Sequence, residues 1–485
     1  MQAHKVMGLQ VRHNTLFVAV SDPTNLHALD SVQFLMGMNL SPVVVEDDKL
    51  SNWIAKLVER SDLGMQSYDL ADEDFGVLEV ADLSNEKTEP PSQDIDDAPV
   101  VKFLNKMLID AIHMGASDLH FEPYEKFYRV RYRVDGILRE IKQAPLAIRE
   151  KLASRIKVIS NMDISEKRIP QDGRMKLALS KTRSIDFRVS TLPMLHGEKI
   201  VMRILDPASA NLGIDALGYE PEQKAALLHA IHRPYGLVLV TGPTGSGKTV
   251  SLYGCLTILN NPGVNIATAE DPCEIPLAGI NQVNVNDKQG LSFATALRAF
   301  LRQDPDIIMV GEIRDLETAD MAIKAASTGH MVLSTLHTND APSALTRLLN
   351  MGVAPFNIAA AVSLITAQRL ARRLCPSCKV PMDVPKEALL GLGFNEQDLD
   401  GSWQLYGPKT GGCPHCNDGY KGRVGIYQVM PISDAISRII LKNGSAQDIA
   451  DQAKLEGVKD LRLAGLEKVK QGLTSIAEIE SCTNE

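Results

Sequence analysis

The sequence predicts an α/β protein whose largest part is built on a parallel sheet. Three observations carry this. Gly242, Pro243, Thr244, Gly245, Ser246, Gly247, Lys248 and Thr249 form, in order, a complete G-x-x-x-x-G-K-[ST] loop. The loop leaves an apolar run, Gly236–Thr241, that reads as a buried strand, and it enters the helix-like stretch Thr249–Leu259. From about residue 206 to 372 strand-like and helix-like segments alternate, as a parallel sheet requires. Glycines let backbone N–H groups curl around phosphates, and the helix start adds positive potential. Lys248 then reaches the β- and γ-phosphates and the Thr249 hydroxyl ligates Mg²⁺. The chain is expected to bind a nucleoside triphosphate.

At 485 residues the chain is too long for one core, and about three domains are expected. The net charge of −9 gives no general field toward nucleic acid or an anionic membrane. The longest apolar stretch, Asn357–Ala367, is interrupted by Ser363 and Thr366 and is too short to span a bilayer. The first residues hold no apolar signal core. Of seven cysteines, four fall in two Cys-x-x-Cys pairs, which points to a reducing compartment and a metal. A cytoplasmic location is expected.

In chain order, residues 1–82 form a small first unit with strands at Asn14–Val20 and Val43–Val45. A strand so near Met1 suggests that an N-terminal portion is missing. Residues 83–97 are acidic, contain Pro90 and Pro91, and read as a linker. The second unit, 98–205, opens with Asp97 and Pro99 before Val100, Leu104, Met107, Leu108 and Ile112 at helical spacing. Tyr128, Val130, Tyr132 and Val134 then alternate with Arg129, Arg131 and Arg133, a half-buried strand with a basic outer face. Those arginines suit a solvated face or a subunit or nucleotide contact. Residues 206–485 complete the chain, with a cysteine-bearing module at about 373–425 and a helical tail.

A second apolar strand near Ile307 ends at Gly311 and Glu312, and in P-loop ATPases the strand beside the phosphate loop ends in acids that orient water. Glu312 is the expected base, with an ion pair to Arg314 as the structural reading. Glu270, Asp271 and Glu274 end another strand, where they ligate metal-bound water or simply start a turn at Pro272. Arg298 and Arg302, four apart, share a helix face suited to phosphate, a neighbouring subunit or plain solvent. His337 is placed as a γ-phosphate sensor and His330 as a structural histidine. Cys375, Cys378, Cys413 and Cys416 match a closed tetrahedral Zn²⁺ site that replaces a core in a small lobe, with a redox pair, which would sit at a helix start, as the alternative. Cys255, Cys273 and Cys482 have no partners at ligand spacing.

The phosphate loop, Thr268–Pro272, Val310–Asp315 and Thr328–Asn339 occur in that order and resemble the four boxes of the secretion ATPases of type II secretion and type IV pilus systems. The resemblance covers about residues 98–480. It implies a RecA-like P-loop core, a PAS-like α+β second domain, the zinc module and a partial N-terminal domain. The tetracysteine module resembles the assembly and secretion branch, and the wording of Ser117–Tyr124, Leu297–Val310 and Arg369–Cys378 is closest to the type IV pilus extension ATPases. The first unit resembles only the later part of that family's N-terminal domain, so no cyclic di-GMP site is read here.

By the same resemblance the chain is a homohexameric ATP hydrolase using ATP, Mg²⁺ and Zn²⁺. Arg188 and Arg203 are then arginine fingers from the second domain. Its partners are an inner-membrane platform protein and a cytoplasmic accessory protein, with peripheral membrane association and no nucleic acid. The output is pilin polymerisation. A type II secretion ATPase is the near alternative. A nucleic-acid translocase and a non-hydrolysing, nucleotide-gated scaffold are the distant ones.

Overall fold

The structure is a computed structural model that describes residues 6–12, 15–22, 39–47, 49–50, 98–179, 184–206 and 213–483. The chain divides into two compact units, Met1–Phe75 and Gly76–Glu485. In the first, β1 (Val6–Arg12), β2 (Thr15–Val20) and β3 (Asn39–Val44) make one sheet in that order. β1 and β2 are an antiparallel hairpin, and β3 joins β2 in parallel. The linker expected at 83–97 lies outside the described residues.

The second unit starts with α1 (Ala98–His113) and the strands β4 (Ala116–Pro123), β5 (Tyr128–Val134) and β6 (Ile137–Ala144). Next come α2 (Arg149–Ile159), β7 (Gln171–Ala178), β8 (Ser184–Met194) and β9 (Gly197–Leu205). These strands pair antiparallel in the order β6-β5-β4-β9-β8-β7. The alternation in β5 works as its period dictates: Tyr128, Val130, Tyr132 and Val134 are buried with Leu104, Leu108, Leu152 and Ile156 of the two helices. The Tyr132 hydroxyl donates to the Met107 carbonyl at 2.7 Å and pins β5 to α1. Charged residues occupy the opposite face.

The remainder is the α/β core. Its sheet has the order β12-β11-β13-β14-β10-β15-β18. The strands are β10 (Gly236–Thr241), β11 (Ile266–Glu270), β12 (Asn281–Asn284), β13 (Ile307–Val310), β14 (Met331–Leu336), β15 (Val362–Leu374) and β18 (Tyr420–Pro431). Every neighbouring pair is parallel except β15–β18. Apolar clusters cover both faces, which is why β10, β11, β13 and β14 are buried throughout. The cysteine module projects from the β15–β18 ribbon and carries the short pair β16 (Val380–Pro381) and β17 (Tyr406–Gly407). No described helix is long and apolar enough to cross a membrane.

One expectation needs correcting. The acidic strand β13 is not beside the phosphate-loop strand, because β14 pairs with both and lies between them. At about 4.8 Å per strand this separates β10 from β13 by roughly 10 Å, room for a phosphoryl group and a water above β14.

Candidate nucleotide site and metal centre

The helix α3 (Pro221–Ile231) leads into β10, which delivers the phosphate loop, and α4 (Lys248–Leu259) receives it. The loop turns on glycine at two places whose positive φ disfavours any other residue. Gly242 has φ +144°, and a Cβ there would lie 2.5 Å from the Gln368 carbonyl oxygen. Gly247, the residue before the helix, has φ +89°. Pro243, Thr244 and Gly245 form the exposed crown, and Thr249 is exposed on the first turn of α4, so its hydroxyl is open to a cation. Ser246 is buried with an unpartnered Oγ. Lys248 Nζ donates to the carbonyls of Gly242 and Pro243 at 2.9 and 3.0 Å, so its ammonium lies against the loop backbone. Burial pushes its pKa down, against the opposing charge of Glu312.

Glu312 follows β13 and is fixed from β14. The Ser334 hydroxyl donates to the Val310 carbonyl at 2.8 Å and the Thr335 hydroxyl to the Gly311 carbonyl at 2.6 Å. Ile313 N–H donates to the Thr335 carbonyl at 3.0 Å. The Glu312 carboxylate accepts from Arg314, and its second oxygen lies 3.3 Å from Nε2 of His337, the residue after β14. Burial raises the pKa of this carboxyl, but the hydrogen bond and charge of Arg314, then His337, outweigh it and hold Glu312 below its ordinary value. Arg314 also reaches Asp271 at 3.4 Å. The structure thus brings together Glu312, His337, Arg314 and Asp271.

Glu270 is placed differently. It ends β11, two strands beyond β14, and is buried. Its oxygens accept from the Tyr253 and Thr268 hydroxyls and from Gln282 Nε2, the last two at 2.6 and 3.1 Å. These bonds tie β11 to α4 and β12, a bracing arrangement. Glu274 keeps one buried carboxylate oxygen without a partner. Among the described residues Arg298 and Arg302 make no hydrogen bond with the phosphate loop. Arg298, on α5 (Phe293–Phe300), pairs with Glu317 of α6 (Leu316–Ser327), and Arg302 donates to the Arg298 carbonyl at 2.8 Å. His330 Nδ1 lies 3.1 Å from the Ala325 carbonyl at the end of α6.

Arg188 and Arg203 are directly opposed on β8 and β9, as part of a longer row. Across the sheet run Arg174, Arg188, Arg203, Asp118 and Arg133, from β7, β8, β9, β4 and β5. Asp118 accepts from Arg203 Nε at 3.0 Å and lies 3.5 Å from Arg133 Nε. Arg174 was not singled out from the sequence. The alternation of Arg174 and Lys176 with buried Met175 and Leu177 marks its face, but only strand register reveals the row.

The four module cysteines converge with all Sγ atoms within 4.8 Å of one another, the one such group among the described residues. Neighbouring sulfurs lie 3.5, 3.6 and 3.8 Å apart. Tetrahedral zinc with Zn–S bonds of about 2.3 Å needs sulfur–sulfur edges of about 3.8 Å, so the donor set is compatible with zinc. Each pair is a tight turn: Cys378 N–H donates to the Cys375 carbonyl at 3.2 Å and Cys416 N–H to the Cys413 carbonyl at 3.1 Å.

Comparison with known proteins accords with this arrangement. Residues 93–481 match the family described as "Type II/IV secretion system protein", and residues 1–63 match the MshEN domain. The chain is 57% identical over 482 residues to the type IV pilus assembly ATPase PilB of Pseudomonas aeruginosa, covering 99% of this chain and 84% of that one. It is 58% identical to PilB of Acinetobacter baylyi, covering 100% and 83%, and 45% identical to the type II secretion system ATPase E of Vibrio cholerae, covering 82% and 78%. Among solved structures, the pilus retraction motor PilT with bound ADP is similar with a TM-score of 0.54 and 26% identity, covering 78% of this chain and 96% of that one. DotB of Legionella pneumophila shares the fold, with a TM-score of 0.58 and 21% identity over 81% and 97% of the two chains. The chain belongs to the type II/IV secretion ATPase family.

Proposed function

We propose that the chain is the ATP-hydrolysing motor of type IV pilus assembly, acting as a homohexamer at the inner membrane. The observation that carries this reading is the 57–58% identity to two pilus assembly ATPases over nearly the whole chain; two other pilus assembly ATPases, at 47% and 42%, stand close to the type II secretion relatives at 42–46%. The acidic net charge speaks against a nucleic-acid translocase.

In this reading the loop N–H groups, Lys248 and Thr249 hold ATP, and Thr249 is a ligand for Mg²⁺, which neutralises phosphate charge when bound. Glu312 accepts the proton of the attacking water and aims it at the γ-phosphoryl, with His337 beside it as the group that senses that phosphoryl. Glu270 braces β11 in this conformation. Arg188 and Arg203, with Arg174 in the same row, stabilise the charge that spreads over the γ-phosphoryl oxygens. Arg298 and Arg302 bind nucleotide phosphate or contact a neighbouring subunit. Cys375, Cys378, Cys413 and Cys416 hold structural Zn²⁺. Domain closure and reopening drive an inner-membrane platform protein, helped by a cytoplasmic accessory protein, and membrane association is peripheral through these partners. The test is deletion of the gene in its host. Loss of surface pili with type II exoprotein secretion intact supports the reading, and retained pili with exoproteins trapped in the periplasm refute it.

A further inference from the structure

We propose that Gln368 is a positioning residue of the phosphate loop, fixing the Ser246–Gly247 peptide so that its N–H faces bound phosphate. The inference rests on the ATP-hydrolase reading and deepens it. Gln368 lies on β15, the strand that pairs with β10 on the side away from β14, and it is only 1% exposed. Its Nε2 donates to the Ser246 carbonyl at 2.7 Å, and its Oε1 accepts from the Ser251 hydroxyl of α4 at 2.9 Å. One amide therefore clamps the last turn of the loop and the first turn of the helix it feeds.

The chemistry of that clamp is directional. A carbonyl accepts but cannot donate, so the Nε2 end must face Ser246, and the Ser251 hydroxyl can donate to the Oε1 end. In a trans peptide the C=O and the following N–H point in opposite directions. Holding the Ser246 carbonyl toward β15 therefore turns the Gly247 N–H away from β15, into the loop, where it can donate to phosphate. Gly247 has the positive φ this peptide orientation needs, and a Cβ there would stand 3.4 Å from Gln368 Nε2. The main chain of Gln368 takes part as well, since its carbonyl fills the space a side chain at Gly242 would occupy. A Gly247 N–H on a phosphate that does not react is bound alike in the ground and transition states, so its loss weakens binding and leaves turnover.

The test uses the full-length, zinc-loaded assembled protein as wild type, Gln368→Met, Gln368→Glu and Ser251→Ala. Readouts are the affinity for a fluorescent ADP analogue with Mg²⁺, KM and kcat for ATP, and the melting temperature without nucleotide. Gln368→Met keeps the volume and removes both bonds. It is expected to raise KM and the ADP-analogue Kd about tenfold, ~1.4 kcal/mol, with kcat within about threefold of wild type. Gln368→Glu sets a carboxylate against the Ser246 carbonyl and weakens binding further. Ser251→Ala moves in the same direction by less. A lowered melting temperature with unchanged KM and Kd, or a lowered kcat at unchanged KM, overturns the inference. A wild type that binds the analogue but hydrolyses no ATP overturns the hydrolase reading, and the Kd comparison alone then decides the inference; one that binds no nucleotide overturns both.

Discussion

If the four cysteines hold zinc, as their spacing allows, removing it has a consequence whose size follows from the chain's geometry. Cys375 lies directly beyond β15, and Cys416 lies just before β18, whose Tyr420 opposes Leu374. The 34 residues between Cys378 and Cys413 leave and re-enter the metal site as one excursion. Zinc held by the four cysteines would close that excursion as a cross-link would, and the chain-entropy expression for a loop of this length gives about 3.7 kcal/mol. The module has its own anchor, because Leu389, Phe394 and Leu405 are buried against the main core and Phe394 stacks on Trp403 at 5.3 Å. Chelation should therefore loosen residues 379–412 without unfolding the sheet. In a domain of this size the first thermal transition should fall by about 7–15 °C. The assay pairs metal content with thermal melting and limited proteolysis, for wild type with and without chelator and for Cys416→Ser. New cleavage within 379–412, with the nucleotide site still binding, is the expected result. Protein purified without zinc, or a digest and a melt that chelation leaves unchanged, would refute the reasoning.

Other consequences are as direct. The buried Lys157–Glu198 pair, with side chains 1% and 7% exposed, should make Glu198→Ala costly by about 3–5 kcal/mol in denaturant titration, since the ammonium keeps only the Glu166 carbonyl and loses its counter-charge. Lys157→Met combined with Glu198→Leu should recover most of that loss. Arg203→Ala should lower kcat by about 10³ with little change in ATP affinity, as expected of a finger, measured in steady-state kinetics. Glu122 pairs with Arg129, Arg131 and Lys199; burial raises its carboxyl, but the hydrogen bonds and charges of Arg131 and Lys199 outweigh that and hold it at about 2. Because that folded value lies below the ordinary 4.5, its contribution is full above pH 4.5 and is lost as pH falls toward 2. Glu122→Gln should flatten that part of an acid-denaturation curve. Glu312 has the same sign, so the acid limb of hydrolysis should fall below the usual glutamate range.

What could be read from the sequence was what is local in it. The phosphate loop is eight consecutive residues whose glycines, lysine and threonine each have a chemical reason. The two Cys-x-x-Cys turns announce a metal because each pair already sits at ligand spacing. The alternation of tyrosine, valine and arginine in β5 reports its two faces. What could not be read depends on strand order and register. Nothing in Met331–Leu336 says that it inserts between β10 and β13, yet that insertion places His337 beside Glu312. The arginine row needs four strand pairings to appear. Gln368 is one polar residue in a long strand, and only the closeness of β15 to the loop gives it work. Glu270 shows another limit of the sequence: an acid at a strand tip suggests an exposed carboxylate, whereas Tyr253, Thr268 and Gln282 enclose this one.

The most direct test is the rate of Mg-ATP hydrolysis per subunit across protein concentration, for wild type and Glu312→Gln. A ring motor with Glu312 as base predicts specific activity that rises as subunits assemble and falls by about 10²–10⁴ in the variant, with nucleotide still bound. Specific activity independent of concentration, or hydrolysis that survives in Glu312→Gln, would contradict it.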